Sequence, residues 1–235
     1  MIPRGYQNEF YFVMEFNNKK IKNLNPLLRE VIDYIFPDEN KESIIKSWRN
    51  HNNFQKGDIL VKVNNKVRSI SIKMGSRNSV HVEHLDSFID FLLDNKVNVK
   101  AIKYYQEYHY NKEKNRHNEY INKKLAKVNT DIYVDRFILK GRFQKQPVEG
   151  IIYGTPDDFL WINKEDIKKI IKNNINKQSS GTHISSLFIQ PMNRNYTNNP
   201  KYNKLKDYIQ IKWYSLFDDI IDNNNNKVIN SKTHK

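Results

Sequence analysis

GDILVKVNNKVRSISIKMGSRNSVHVEHLD, residues 57–86, decides the fold. DILVKV and VRSISIK alternate apolar and polar residues with period two. Asn64-Asn65 between them tolerates left-handed turn angles, so the two runs read as a hairpin. Ile59, Val61 and Val63 share one strand face, leaving Asp58, Leu60 and Lys62 on the other. Ile70 and Ile72 share a face in the second strand, opposite Ser69, Ser71 and Lys73. A two-residue turn sets Asp58 across from Ser71 and diagonal to Lys73. A turn two residues longer sets Asp58 across from Lys73. Either register aligns the apolar faces and gathers a carboxylate and an ammonium at the hairpin's open end. Beyond it, VHVEHLDSFIDFLLDN places Leu85, Phe88, Ile89 and Leu92 at helical spacing. Ser79 suits the N-cap of that helix, which puts Glu83 in its first turn.

Upstream, NEFYFVMEFNN spaces its residues as a helix, with Phe10, Val13 and Met14 on one side. NPLLREVIDYIFPDE is a second helix whose stripe is Leu27, Leu28, Val31, Ile32 and Ile35, ended by Pro37. Downstream, residues 104–127 are polar and charged with scattered tyrosines, a partly helical and exposed stretch. VEGIIYG and DFLWIN form a hairpin across Thr155-Pro156-Asp157, followed by the helix KEDIKKIIKNNI. SLFIQPM and YIQIKWYSLF add two apolar strands. The segment after Asp222 is rich in Asn and Lys and reads as a disordered tail. The class is α/β (α+β), with strands in both halves.

The 235 residues hold 40 Lys and Arg against 26 Asp and Glu, a formal net charge of +14. That excess favours a polyanionic partner, nucleic acid before an anionic membrane surface. With no cysteine there are no disulfides, thiolate zinc sites or cysteine nucleophiles. The segment MIPRGYQNEF lacks a signal-peptide apolar core, and no run approaches membrane-spanning length. The expectation is a cytoplasmic protein with no membrane partner. The seven histidines lack the H-E-x-x-H spacing of zinc enzymes, and no glycine-rich phosphate loop precedes a helix.

An acid beside a lysine at a sheet edge reads structurally as a cross-strand ion pair. Chemically it reads as a divalent-metal site, with the lysine orienting an attacking water. An acid opening one strand, a short hairpin, and a strand ending in an x-K element resemble the PD-(D/E)XK nuclease superfamily. GDILVKVNNK…ISIKMG looks most like its type II restriction endonucleases, the likeness running over about residues 5–95. The resemblance implies a restriction-endonuclease-like core, a central mixed sheet flanked by helices, with extra strands in the C-terminal half. It implies a single nuclease domain over residues 1–222: a catalytic core over about 5–110, and a DNA-recognition and sheet-extending part over about 130–222. Residues 223–235 would be the tail.

Carried across, Asp58 matches the metal-binding aspartate and Lys73 the lysine of the superfamily motif. Ser71 stands where a second Asp or Glu is usual, so another acid has to complete the metal site. Glu83 is one candidate, because some members carry that acid on the following helix. Glu9 is the other, matching a glutamate that many members carry on an N-terminal helix. His81 could contact a phosphate or tune a metal-bound water. The implied cofactor is Mg²⁺, with Mn²⁺ as a substitute. The implied substrate is double-stranded DNA, cut sequence-specifically by a homodimer. For recognition, FIQPMNRNYTNNPKY offers Gln190, Asn193, Arg194 and Asn195, with Gln and Asn suited to adenine and Arg to guanine. Arg77 and Asn78 beside the catalytic edge suit backbone phosphates. The rival reading, raised by Ser71, is a catalytically silent nucleic-acid-binding protein on the same fold.

Overall fold

The computed structural model describes residues 4–52, 55–75, 78–110, 117–143, 146–174, 181–192 and 205–223. In chain order, helices α1 (Arg4–Phe16) and α2 (Pro26–Ile35) precede strands β1 (Ile45–Arg49), β2 (Ile59–Val63), β3 (Lys66–Lys73) and β4 (Ser79–His84). Helices α3 (Leu85–Asp94), α4 (Val99–Tyr110), α5 (Asn118–Leu125) and α6 (Thr130–Val134) follow. A single π-helical turn covers Asp135–Leu139. The last elements are β5 (Gly150–Thr155), β6 (Asp158–Asn163), α7 (Lys164–Asn173), β7 (His183–Ile184), β8 (Leu187–Pro191), β9 (Tyr208–Lys212) and α8 (Leu216–Asn223).

The chain forms two compact units: residues 1–76, 138–167 and 216–235 in one, 77–137 and 168–215 in the other. The first is built on a five-stranded mixed sheet ordered β1-β2-β3-β5-β6. β1, β2 and β3 run antiparallel in turn, β5 joins β3 in parallel, and β6 returns antiparallel to β5. The β2–β3 turn is the two-residue form: Ile59 faces Ile70, Val63 faces Lys66, and Asn64 takes a left-handed φ of 51°. β5 and β6 form the expected hairpin, but Thr155 pairs with Asp158, so the turn is Pro156-Asp157 and not Thr155-Pro156-Asp157.

One face of this sheet is dry. Ile45, Ile59, Val61, Val63 and Ile70 are fully buried and join Phe12, Phe16, Leu28, Val31 and Ile32 of the two N-terminal helices in one core. Burying each such side chain is worth about 1.5–3 kcal/mol, which is what fixes the register. Asn25 caps α2 by accepting from the Leu28 N–H at 2.8 Å, and Pro26 sits at the first helical position. The buried side of α1 is Asn8, Phe12, Val13 and Phe16; Phe10 and Met14 face outward. Asn8 explains the difference: its amide donates to the Gly154 carbonyl at 2.7 Å, so this polar residue faces inward.

The second unit carries a four-stranded antiparallel sheet, β4-β9-β8-β7. The C-terminal strands β7–β9 therefore build a sheet of their own with β4. SVHVEH is strand, not helix, and Glu83 lies in it opposite Ile209. Helix α3 starts later, capped by His84, whose ring nitrogen accepts from the Asp86 N–H. The V-H-V-E-H alternation is a period-two pattern that β9 completes by pairing. Phe88, Phe91, Tyr105, Tyr133 and Phe137 pack as an aromatic core in this unit. No helix among the described residues is long and apolar enough to cross a membrane.

Candidate active site

The opening of β2 is shaped by a glycine. A Cβ on Gly57 would stand 2.5 Å from the Ser69 Cβ, so only glycine lets the chain enter the strand this close to β3. Asn50 holds the entry from the other side: its amide donates to the Gly57 carbonyl at 2.9 Å, and its backbone N–H donates to the Asp58 carbonyl at 3.0 Å. Asp58 is thereby set at the strand end, directly before the Ile59–Ile70 pair.

One oxygen of Asp58 collects three donors. Its Oδ2 accepts from Ser71 Oγ at 2.8 Å, from the Ile72 N–H at 2.6 Å and from Lys73 Nζ at 3.1 Å. Ser71 lies across from Asp58 and Lys73 on the diagonal, the arrangement a two-residue turn dictates. Lys73 also donates to the Ile72 carbonyl at 3.2 Å. An ammonium has three N–H groups, so one is left to point elsewhere. The Lys73 side chain is 20% exposed and that of Asp58 26%, leaving both within reach of a solute.

Glu9 enters from α1. Its carboxylate and Asp58 line one cleft, together with Tyr6, Arg49, Asn50 and His51. Arg49 Nε donates to Glu9 Oε2 at 2.9 Å, and the Arg49 guanidinium lies 4.7 Å from the centre of the Tyr6 ring. Burial pushes the Glu9 carboxyl above its ordinary value; the Arg49 hydrogen bond opposes this, and the negative charge of Asp58 adds to it. Glu9 and Asp58 thus repel each other across the cleft. A cation between them would relieve that repulsion.

Glu83 has a different setting. It is buried in the second unit, where it is paired with Arg136 and stands 3.3 Å from His81 Nε2. Burial acts to raise its carboxyl, but His81 and Arg136 outweigh burial and hold it below the ordinary carboxylate value. Arg136 comes from the π-helical turn and also lies 5.3 Å over the Phe91 ring. His81 packs 5.4 Å from Phe137. Glu83 therefore has both its charge partner, Arg136, and its histidine neighbour within its own unit.

The expected recognition residues divide. Asn78 is 3% exposed, and its carbonyl accepts from the Trp213 N–H at 2.9 Å, so it is part of the unit's interior. Gln190 lies on the half-buried outer face of β8. Arg77, Asn193, Arg194 and Asn195 lie outside the described residues, as does the tail from residue 224.

No family model matches the chain, and no curated protein matches it. Among solved structures, restriction endonuclease MspI in complex with its cognate DNA superposes with a TM-score of 0.58. The match covers 88% of each chain at 11% sequence identity. The fold is restriction-endonuclease-like. At this identity the likeness carries the fold alone, while the geometry around Asp58 is the chain's own.

The sequence pattern does not single out β1, nor Arg49 and Asn50, the two β1-side residues that hold Glu9 and the Asp58 entry. Their signal is faint: IKSWR is a five-residue alternation with a charged residue at its end. Among the described residues no group of three or more ligating side chains forms a ready-made metal cage. The donors present are two carboxylates in one cleft.

Proposed function

We propose that this protein is a Mg²⁺-dependent endonuclease that hydrolyses double-stranded DNA, sequence-specifically, in the manner of a restriction or related defence nuclease. The observation that carries the reading is the division of labour at Asp58. All three bonds, from Ser71, Ile72 and Lys73, go to Oδ2 and leave Oδ1 out of them, and Asp58 lines a cleft that also holds Glu9. Two carboxylates that repel each other beside an open cleft are a fitting donor set for a hard divalent ion. Asp58 and Glu9 would hold it, with Mn²⁺ as a substitute. When bound, Mg²⁺ would supply Lewis acidity to the scissile phosphate.

The chain's own residues have separate tasks. Ser71 and the Ile72 N–H orient Asp58. Lys73 is fixed by two hydrogen bonds and offers its third N–H to a phosphate oxygen, where its charge favours the phosphorane over the ground state. Where that N–H is donated to water instead, it orients the water for attack at phosphorus; the water's proton passes to solvent, and the bridging P–O bond breaks with its oxygen taking up a solvent proton. Arg49 holds the Glu9 carboxylate in place. Glu83, with His81, is assigned to holding β4 against the Arg136 turn. Cutting both strands of a palindrome would call for a homodimer.

The second reading is a silent nucleic-acid-binding protein, favoured by Ser71 standing where an acid is usual. Supercoiled plasmid incubated with Mg²⁺ or with EDTA decides between them. The nuclease reading expects cutting in Mg²⁺ alone, abolished by Asp58→Ala and Lys73→Ala. DNA binding without metal-dependent cutting on varied substrates would leave the silent reading.

A further inference from the structure

The second unit's sheet has one dry face and one open face. Ile189, Ile209 and Ile211 are fully buried on the first. On the other, Gln190 of β8 stands directly across from Gln210 of β9, and Gln210 across from Val82 of β4. Two residues along β9, Lys212 projects from the same face as Gln210. Val82 is 42% exposed and Tyr214 49%, so this face meets solvent.

The side chains here are ordered by one another. Tyr214 Oη donates to Gln190 Oε1 at 3.4 Å, and Gln190 Nε2 donates to Gln210 Oε1 at 3.2 Å. The Lys212 ammonium lies 5.2 Å over the Tyr214 ring. Each amide oxygen has thus taken one donor from the protein and keeps a second lone pair. The donors of the row are the Gln210 amide N–H groups and the Lys212 ammonium.

The sequence of this unit is basic on balance: residues 77–137 and 168–215 contain 20 Lys and Arg against 10 Asp and Glu. A polyanion is the complementary partner. Strands of a sheet can present side chains to base edges in a DNA groove. Side chains two residues apart on a strand are about 7 Å apart, or about two base-pair steps of about 3.4 Å.

From this we infer that the open face of the β4-β9-β8-β7 sheet reads guanine in the major groove, through Gln210 and Lys212. The guanine edge offers two acceptors, O6 and N7, which match the Lys212 ammonium, a group with donors only. Adenine offers an acceptor and a donor, and its N6 group finds no acceptor on Lys212. The expectation from sequence that Gln190 pairs with adenine is thereby replaced: Gln190 becomes the positioning residue that turns the Gln210 amide outward. This inference rests on the proposal that the protein acts on double-stranded DNA.

The test is selection from a duplex library with a randomised centre, in EDTA, using the full chain. Wild type should enrich duplexes with guanine at fixed positions, and 7-deazaguanine there should weaken binding about tenfold. Gln210→Ala with Lys212→Met should lose both the guanine preference and the 7-deazaguanine effect, while the slope of affinity against salt stays unchanged. Gln210→Glu, which exchanges donors for acceptors at constant size, should shift the preference toward cytosine, whose N4 group donates. Enrichment that survives these substitutions, a missing 7-deazaguanine effect, or a salt slope reduced by about one in Lys212→Met overturns the inference and leaves DNA binding standing. Wild type that binds no duplex at low salt removes the DNA-acting proposal, and this one with it.

Discussion

Removing the Ser71 hydroxyl separates orientation of Asp58 from chemistry at Asp58. The Oγ–Oδ2 bond is 2.8 Å long and its acceptor is a carboxylate, a class of bond worth about 1.5–3 kcal/mol net. Two facts lower the expected cost of Ser71→Ala. Asp58 keeps the Ile72 N–H at 2.6 Å and Lys73 at 3.1 Å, and its side chain is 26% exposed, so water can replace the lost donor. The variant should therefore lose about 1 kcal/mol in urea unfolding followed by tryptophan fluorescence. It should keep Mg²⁺-dependent plasmid cleavage within about tenfold of wild type. In an Asp58→Ala background the same substitution should cost close to nothing, giving a coupling energy of about 1 kcal/mol in the double-mutant cycle. Two results would refute the reasoning. An equal cost in both backgrounds would mean that Ser71 stabilises the strand by other contacts. Cleavage lost as completely as in Asp58→Ala, at unchanged stability, would make the hydroxyl itself catalytic.

Gly57→Ala should destabilise by about 1–3 kcal/mol and impair cleavage, since its Cβ meets Ser69 Cβ at 2.5 Å; unfolding at wild-type denaturant concentration would mean that the β2 entry yields without strain. Glu9→Gln tests the repulsion in the cleft. Because burial and Asp58 raise the Glu9 carboxyl, the native state keeps that proton to higher pH than the unfolded chain. The associated stability is present below the ordinary value of 4.5 and is lost as pH rises through the raised value. The Gln variant should therefore gain on wild type across that window in pH-dependent unfolding, and a flat or opposite trend would contradict the repulsion. Affinity for duplex DNA should fall linearly in log–log terms with salt if the +14 charge serves phosphate binding, and a flat response would separate the charge from DNA.

What was legible in the sequence is local. The β2–β3 register follows from alternating Ile and Val around a two-residue Asn-Asn turn, and it alone places Asp58 against Ser71 and Lys73. The Pro156-Asp157 hairpin and the α2 stripe follow from equally short-range rules. What was misread depends on partners far along the chain. The inward face of α1 is set by Asn8 reaching Gly154, 146 residues away. Glu83 is strand because β9 pairs with β4, and its charge is absorbed by Arg136, 53 residues distant. Nothing within a helix-length window around Glu83 reports either partner, whereas a helix start after Ser79 satisfies every local rule. Arg49 and Asn50 were missed for the same reason: their importance lies in Glu9 and Gly57, and a strand as short as β1 has little pattern of its own.

The shortest of the three bonds to Asp58 comes from a peptide group. An alanine at residue 72 keeps the backbone N–H, so an alanine scan of this hairpin will attribute the anchoring of the acid to Ser71 and Lys73 alone. Proline would delete that N–H but also disrupt β3, whereas an amide-to-ester replacement at residue 72 exposes the third share by itself. The same donor travels with the strand itself: any sequence that keeps β3 in register brings it along. Position 71 is thereby released from sole responsibility for aiming the carboxylate, and it can change its side chain without the acid losing its bearing.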